Sequence, residues 1–176
     1  VHLDELNPAE IAEASGEGVS LGVSQLIEQL SHADTYGSLI RVPAGASTLF
    51  REVARRIEAG ERQQLLGGAD SEEWLRAADM CEILEDGRYT TLIANPPYLG
   101  IRKMDDSLKK YAKSQYARSY QDLATMFMER SLSLVARGGA CGILSLNSWM
   151  MTITFKKFRS LILSATQILN VVHLGR

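Results

Sequence analysis

Hydrophobic positions recur at helical spacing through the first half of the chain. The pattern predicts helices over residues 23–30, 47–66 and 70–84. Acidic residues open the third helix, where the helix dipole favours them, and Asp70 or Ser71 is its expected N-cap. Residues 38–43 are either a short strand or an extended linker. The predicted apolar face of the second helix consists of Leu49, Val53, Ile57 and Leu65.

The second half changes to short apolar runs that alternate with helical patterns. A turn at Asp86 and Gly87 leads into "YTTLIA", a continuous apolar strand of the kind found inside parallel sheets. Further strands are predicted at 140–146 and 168–174, and helices at 105–116, 120–136 and 155–163, with Gly138 and Gly139 ending the second of these helices. The alternation predicts an α/β class in which at least the first two strands are parallel.

The first predicted strand ends in an unusual corner, Asn95, Pro96, Pro97 and Tyr98. Prolines restrict both their own backbone and that of the preceding residue, and they carry no N–H. The carbonyl of Pro96 and the carboxamide oxygen of Asn95 are therefore acceptors with little freedom. In open α/β sheets, ligands bind beyond the carboxyl ends of strands, which is where this corner lies.

Two fixed acceptors suit an amino group that presents two hydrogens, such as the exocyclic amine of adenine. Its lone pair is delocalised into the ring, and holding both N–H groups favours a more pyramidal nitrogen that can attack an electrophilic methyl group. Tyr98 would stack on the base, which has to leave the duplex to reach the corner. The alternative is purely structural: a Pro-Pro turn after a strand, with Tyr98 covering the core.

Charge differs sharply between the two halves. Residues 1–90 carry 17 acidic and 7 basic side chains, whereas residues 91–176 carry 4 and 12. The basic half begins at the corner, which makes a polyanionic partner a hypothesis for that half. Basic residues close behind the corner either track DNA phosphates or form a solvated helix face. These residues are Arg102, Lys103, Lys109, Lys110, Lys113 and Arg118.

Other features of the sequence limit the choice of class. Cys81 and Cys141 lie far apart, and the three histidines are scattered, so a zinc site is not expected. No secretory segment and no apolar run of 18 residues occurs, and the expectation is a cytoplasmic protein with no membrane association. Because the chain begins at Val1 and ends without a tail, it is expected to be part of a longer protein.

The quoted residues resemble a known family. "NPPY" after an apolar strand is similar to motif IV of the amino-methylating, S-adenosylmethionine-dependent methyltransferases. "DLATMFMERSLSLVARGGACGILSLNSWM", together with "FKKFRSLIL", resembles the segments downstream of that motif in adenine-N6 DNA methyltransferases of the γ type. More narrowly, residues 95–116 and 148–163, together with "HLGR", look like the methyltransferase of bacteriophage-exclusion (BREX) systems and of single-chain restriction-modification enzymes.

The resemblance implies roles for individual residues. Asn95 and Pro96 would bind the target amine of double-stranded DNA, Tyr98 would stack on the base, and Phe127 would border the adenine of the cofactor. Asp122 is either a cofactor ligand or only a helix N-cap. It implies that residues 88–176 are the C-terminal half of a Rossmann-like catalytic domain, and that residues 1–87 are a helical segment preceding motif IV. Other phage-defence or restriction proteins are possible partners.

The resemblance is incomplete, because the family's glycine-rich cofactor turn after a strand is not found. "SGEGVSLG" (15–22) is preceded by no strand pattern and is interpreted as a chance match. The chain alone is therefore not expected to methylate DNA. Three other functions stay open: methylation of a glutamine side chain in release factors, cytosine-N4 methylation, and a non-catalytic scaffold in a defence complex.

Overall fold

The computed structural model of the protein describes residues 20–59 and 70–174. The chain divides into two compact units. The first consists of Val1–Thr90 with Ser133–Gly139, and the second of Thr91–Leu132 with Ala140–Arg176.

The first unit is mostly helical, as the hydrophobic pattern predicts. Its elements are α1 (Ser20–Ser31), α2 (Ala33–Tyr36), a 3-10 turn (Gly37–Leu39), α3 (Ala46–Glu58) and α4 (Ser71–Ile83). Residues 40–43 form neither helix nor strand, which favours the extended linker over the short strand. The predicted C-terminal part of the second helix, with Leu65, Gly67 and Gly68, lies outside the described residues, as does most of the segment 15–22.

Helices α3 and α4 pack through an aromatic pair. Phe50 and Trp74 are both fully buried, and their ring centroids lie 5.3 Å apart in an edge-to-face arrangement. Ala77 and Ala78 of α4 are also fully buried, and such small side chains let the helices approach closely. The predicted apolar face of α3 missed Phe50, and Leu49 and Ile57 of that face are only half-buried.

Polar contacts at the surface cap α4 and link it to α3. Asp70 is the N-cap of α4, since its side chain accepts a hydrogen bond from the Glu73 N–H. The Arg51 guanidinium of α3 donates to Asp79 at 2.7 Å and to Glu82 at 2.6 Å, and Arg88 also donates to Glu82. These guanidinium groups lower the pKa of the Glu82 carboxyl.

Two strands form a parallel sheet, β1 (Tyr89–Ala94) and β2 (Val135–Ile143). Gly87, with φ +72°, makes the predicted turn into β1. The strands run parallel, since Gly139 lies against Thr90, Gly142 lies against Ile93, and the Leu144 N–H donates to the Ala94 carbonyl. Helices fill the crossover between them, as parallel pairing requires. The predicted α/β class and the parallel direction of these strands are confirmed.

Gly138 and Gly139 do not end the preceding helix, which is where the sequence pattern placed them. The preceding helix ends at Leu134, and both glycines lie inside β2. Gly138 has φ +83°, which L side chains rarely adopt. A Cβ on Gly139 would lie 2.6 Å from the Thr90 carbonyl oxygen, so only glycine allows this close pairing. The pair therefore shapes the strand rather than ending the helix.

Apart from the last two residues of α6, the second unit carries the remaining helices: a 3-10 turn (Ile101–Lys103), α5 (Asp106–Gln115), α6 (Leu123–Leu134), α7 (Ser148–Met151), a further 3-10 turn (Ile153–Phe155) and α8 (Lys156–Ala165). Met128 of α6 packs with Phe158 and Ile162 of α8 in a buried cluster. Trp149 joins this cluster, edge to face with Phe158 at 5.6 Å between ring centroids.

The prediction of a third strand at residues 168–174 is wrong. This segment is neither strand nor helix, and Leu169 is 80% exposed. Likewise, β1 forms but is not enclosed, since Ile93 is 85% exposed. An apolar run becomes a buried strand only where neighbours pair with its backbone and cover its faces. Among the described residues the sheet has two strands, and neither supplies that cover.

Truncating Phe50 to alanine should be strongly destabilising, because it leaves a cavity against Trp74. The expected loss is about 3–5 kcal/mol of unfolding free energy. Urea unfolding followed by tryptophan fluorescence measures it. Arg51→Ala, one position along the same helix and exposed, is the matched control and should change the midpoint little. Equal losses for the two variants would contradict the packing described here.

Candidate active site at the end of the first strand

The corner residues lie directly beyond the carboxyl end of β1. Asn95 follows Ala94, the last residue of the strand, and its side chain is exposed. Pro96 is buried, Pro97 is exposed, and Tyr98 is 43% exposed. The corner thus presents the carboxamide and the phenol ring outward while one proline anchors the turn. The structural alternative, with Tyr98 covering the core, does not describe this arrangement.

Backbone hydrogen bonds fix this loop on both sides. At its start, the Leu144 N–H donates to the Ala94 carbonyl at 3.0 Å. At its end, the Leu123 N–H donates to the Leu99 carbonyl at 2.9 Å, and the Ile101 N–H donates to the Gln121 carbonyl at 2.9 Å. An isolated antiparallel bridge pairs Gly100 with Asp122 between these bonds. The loop is therefore held in place between β1, the end of β2 and the start of α6.

The Tyr98 hydroxyl faces two oxygen acceptors. It lies 3.4 Å from the Asn95 Oδ1 atom and 3.4 Å from the Leu144 carbonyl oxygen. Asn95 and Tyr98 are three residues apart, and the two prolines between them bring their polar ends together. Sequence reasoning missed Leu144, because a backbone carbonyl leaves no mark in the residue pattern.

Asp122 caps helix α6. Its Oδ1 atom accepts a hydrogen bond from the Ala124 N–H at 2.9 Å, which is the N-cap arrangement. The hydroxyl of Thr125 supports the same turn by donating to the Ser119 and Asp122 carbonyls. Phe127, one helical turn further on, is half-buried, so part of its ring is open. The predicted cofactor roles of Asp122 and Phe127 stay predictions.

The predicted phosphate-binding residues lie on elements that come after the corner. Arg102 and Lys103 are exposed on the 3-10 turn that ends the loop. On α5, Leu108, Tyr111 and Ala112 are buried, which turns other positions of the helix to solvent. Lys110 and Lys113 are exposed there, whereas the half-buried Lys109 forms an ion pair with Asp106 at 3.2 Å. Arg118 is exposed in the turn after α5.

The segment after β2 is braced by the side chains of Trp149 and Arg159. The Trp149 Nε1–H donates to the Ser145 hydroxyl at 3.1 Å. The Arg159 guanidinium donates to the carbonyls of Trp149 at 2.8 Å and Thr152 at 2.6 Å. Because Leu144 begins this segment, the brace helps to fix the carbonyl that faces Tyr98.

The pKa of both cysteine thiols is raised, which disfavours the reactive thiolate. Burial raises the pKa of the Cys81 thiol to about 12 and also raises that of Cys141. Across residues 20–59 and 70–174, no cluster of three histidine, cysteine or acidic side chains is placed to hold a metal ion. The exposed polar groups of the corner are therefore the chemical feature to explain.

Comparison with known proteins identifies the family. Residues 28–176 match the family model described as Eco57I restriction-modification methylase, and the chain belongs to this family. The adenine-specific methyltransferase BrxX of Escherichia coli O9:H4 (strain HS) is 33% identical over 147 residues, which cover 81% of this chain and 12% of that protein. The adenine-specific methyltransferase PglX of Lacticaseibacillus casei (strain Zhang) is 28% identical over 156 residues, 87% of this chain and 13% of that protein.

A third relative comes from a restriction-modification system. The type II methyltransferase M.PaeR7I of Pseudomonas aeruginosa is 25% identical over 138 residues, 75% of this chain and 24% of that protein. The chain thus spans about an eighth of the first two relatives and about a quarter of the third. The family resemblance inferred from the motif is confirmed.

Substitutions at Asp122 separate the cap from a cofactor role. Asp122→Ala removes the acceptor for the Ala124 N–H and should cost about 1 kcal/mol of stability. Asp122→Asn keeps an acceptor oxygen and should stay within a few tenths of wild type. Urea unfolding gives both values.

If the residue only caps α6, Asp122→Asn in the full-length protein also keeps its affinity for S-adenosylmethionine in calorimetry. A tenfold loss of that affinity would instead show a ligand role.

Proposed function

We propose that this chain supplies the catalytic corner of a site-specific DNA methyltransferase that transfers a methyl group to adenine N6. The observation that carries the proposal is the exposed pair Asn95 and Tyr98 on a loop fixed at both ends. Family membership supports methyl transfer, and two relatives are named adenine-specific. That naming favours adenine over cytosine-N4 and over a glutamine side chain.

The proposed chemistry needs positioning rather than a strong base. Asn95 Oδ1 and the Pro96 carbonyl each accept one N–H of the target amine, which turns the nitrogen lone pair toward the methyl group. A bound methyl donor would supply the methyl group to this nitrogen and leave without it, and one of the two amine protons would be lost to solvent. Acceptors fixed in advance cost no reorganisation at that moment, which makes such electrostatic contributions large.

A base inside a duplex cannot enter a corner at the end of a strand, so the proposal requires a flipped nucleotide. The partly exposed ring of Tyr98 offers a stacking surface beside the Asn95 carboxamide. Stacking of a base on an aromatic side chain contributes about 1–3 kcal/mol. This contribution would offset part of the cost of unstacking.

S-adenosylmethionine, the cofactor that the family implies, supplies the electrophilic methyl group when bound. Among the described residues, the half-buried ring of Phe127 fits a purine, because part of an apolar surface is open. Asp122 is already engaged at Oδ1 as the cap of α6. We propose that β1 and β2 belong to a Rossmann-like sheet, with this cofactor beyond the carboxyl ends of its strands.

DNA would bind along the basic residues that come after the corner. Lys110 and Lys113 are exposed and lie one turn apart on the outer side of α5, so both can reach a phosphate backbone. Lys109 is less free, since Asp106 pairs with it. Contacts of this kind add affinity that falls with salt and carry no sequence information.

Partners and compartment are inferred from the substrate. None of the helices within the described ranges has the length and apolarity needed to cross a membrane. Double-stranded DNA as substrate favours the cytoplasm. The similarity to BrxX, PglX and M.PaeR7I favours a role in phage defence or restriction-modification, with other proteins of such a system as partners.

Asn95→Ala in the full-length protein should abolish methylation while DNA binding stays. Losing one fixed acceptor should lower the turnover number at least about a hundredfold, by analogy with oxyanion-hole donors. Transfer of labelled methyl groups to a duplex gives the rate, and fluorescence anisotropy gives the DNA affinity. Asn95→Asp is the matched control, because it keeps oxygen acceptors of nearly the same shape and should lose less. An active Asn95→Ala enzyme would refute catalysis at this corner.

The double change Lys110→Ala and Lys113→Ala should reduce the salt dependence of DNA binding. If each lysine neutralises one phosphate, the slope of log affinity against log salt falls by about 2. Anisotropy titrations across a salt series measure that slope. The control changes Lys156 and Lys157, an exposed pair at the start of α8, and should leave it intact. If both double variants gave the same slope of log affinity against log salt, the α5 lysines would be solvent-exposed residues that do not contact DNA.

A further inference from the structure

The Tyr98 hydroxyl has a geometry that stacking alone does not require. Stacking uses the face of the ring, yet the hydroxyl lies 3.4 Å from Asn95 Oδ1 and 3.4 Å from the Leu144 carbonyl oxygen. Both neighbours are acceptors, and the hydroxyl has one hydrogen to share between them. At these distances each bond is weak, so the hydrogen can change acceptor at little cost.

The second acceptor belongs to a fixed part of the fold. Leu144 donates its own N–H to the Ala94 carbonyl at 3.0 Å, next to Asn95. A closed circuit of contacts results, from the end of β1 through Leu144 to Tyr98 and back to Asn95. Leu144 is held further by the segment that Arg159 and Trp149 brace. The hydroxyl is therefore attached to the scaffold and not only to the loop.

The orientation of the Asn95 carboxamide decides whether the corner can hold an amine. One end of the group is an acceptor oxygen and the other is an NH₂ donor. Rotated by half a turn, the side chain would present its NH₂ to the incoming amine, and two donors repel. An exposed asparagine has no packing to choose between these orientations. The phenol oxygen could also accept from a reversed NH₂. In the structure, however, it is Oδ1 that faces the hydroxyl, and this is the productive orientation.

We infer that the Tyr98 hydroxyl is a positioning group that orients the Asn95 carboxamide with its oxygen toward the target amine. This inference rests on the proposed function. In the free protein the hydroxyl donates to Asn95 Oδ1. When the amine of the flipped base binds that oxygen, the hydroxyl hydrogen turns to the Leu144 carbonyl, which is equally distant. Asn95 Oδ1 is thus held in the productive orientation before the base binds. When the amine takes its place, the Tyr98 hydroxyl exchanges one acceptor for another, so that no hydrogen bond is lost.

The Tyr98 side chain would then have two functions: its ring stacks on the base, and its hydroxyl orients Asn95. A double-mutant cycle in the full-length protein measures both. Tyr98→Phe keeps the ring, so flipping of a 2-aminopurine placed at the target position should stay within about twofold by fluorescence. Its single-turnover methylation rate should fall about threefold to tenfold, the range that one net hydrogen bond supplies. Tyr98→Ala should lose both flipping and rate.

The decisive comparison uses Asn95→Asp as background. A carboxylate presents an oxygen at both ends, so it needs no orientation. Tyr98→Phe should therefore change the rate by less than about twofold in that background, whereas it costs threefold to tenfold beside asparagine. An equal loss in both backgrounds, or no loss beside asparagine, would overturn the inference.

The outcomes also distinguish this inference from the proposed function. An inactive wild-type protein, or an Asn95→Ala variant as active as wild type, would overturn the proposed function and the inference together. Active wild type, an inactive Asn95→Ala variant and unaffected Tyr98→Phe would overturn the inference alone. Loss of 2-aminopurine flipping in Tyr98→Phe equal to that in Tyr98→Ala would also overturn it, because the hydroxyl would then act through stacking.

Discussion

The hydrogen bond from the Leu144 N–H to the Ala94 carbonyl is the constraint on which the site depends. It joins the carboxyl ends of two parallel strands at the point where the chain leaves the sheet. A loop with adjacent prolines is stiff internally, but stiffness alone does not position it relative to anything else. The strand pairing supplies that reference, and the contacts of Leu99 and Ile101 with the start of α6 close the loop at its far side.

This arrangement explains how a small set of weak groups can act together. A carboxamide, a backbone carbonyl and a phenol have no unusual reactivity, and in the proposed mechanism their effect would come from their positions on a fixed loop. The buried Pro96 anchors the turn, while Asn95 and Tyr98 remain accessible on either side of the proline pair. The backbone of the corner loop is therefore rigid, whereas the side chains of Asn95 and Tyr98 are exposed.

Much of this could be predicted from residue patterns. The helices of the first unit, the two parallel strands and the open corner are all expected from periodicity, turn residues and proline chemistry. The predictions that failed are those that depend on neighbours. Residues 168–174 have the composition of a strand, but composition does not specify a pairing partner. Gly138 and Gly139 have the composition of a helix end, whereas the close approach of Gly139 to the Thr90 carbonyl is visible only once β1 and β2 are paired.

The residues that sequence reasoning missed at the site share one property. Leu144 acts through its backbone, and Arg159 acts by holding the carbonyls of Trp149 and Thr152. Neither residue belongs to a sequence motif. The contacts that each one makes depend on the position that the fold gives it and not on its residue type. By contrast, an N-cap was one of the two roles expected for Asp122, and the structure gives its side chain a local partner in the Ala124 N–H.

The exposure of Ile93 has a practical consequence for anyone who purifies this polypeptide. Among the described residues each strand of the sheet has one neighbour, so each also has an edge with backbone groups that no other strand engages. An apolar strand with such an edge is a template for association with a second molecule. Concentrated stocks of these 176 residues on their own should therefore tend toward oligomers held by intermolecular strands, and dilution or a mild denaturant should disperse them.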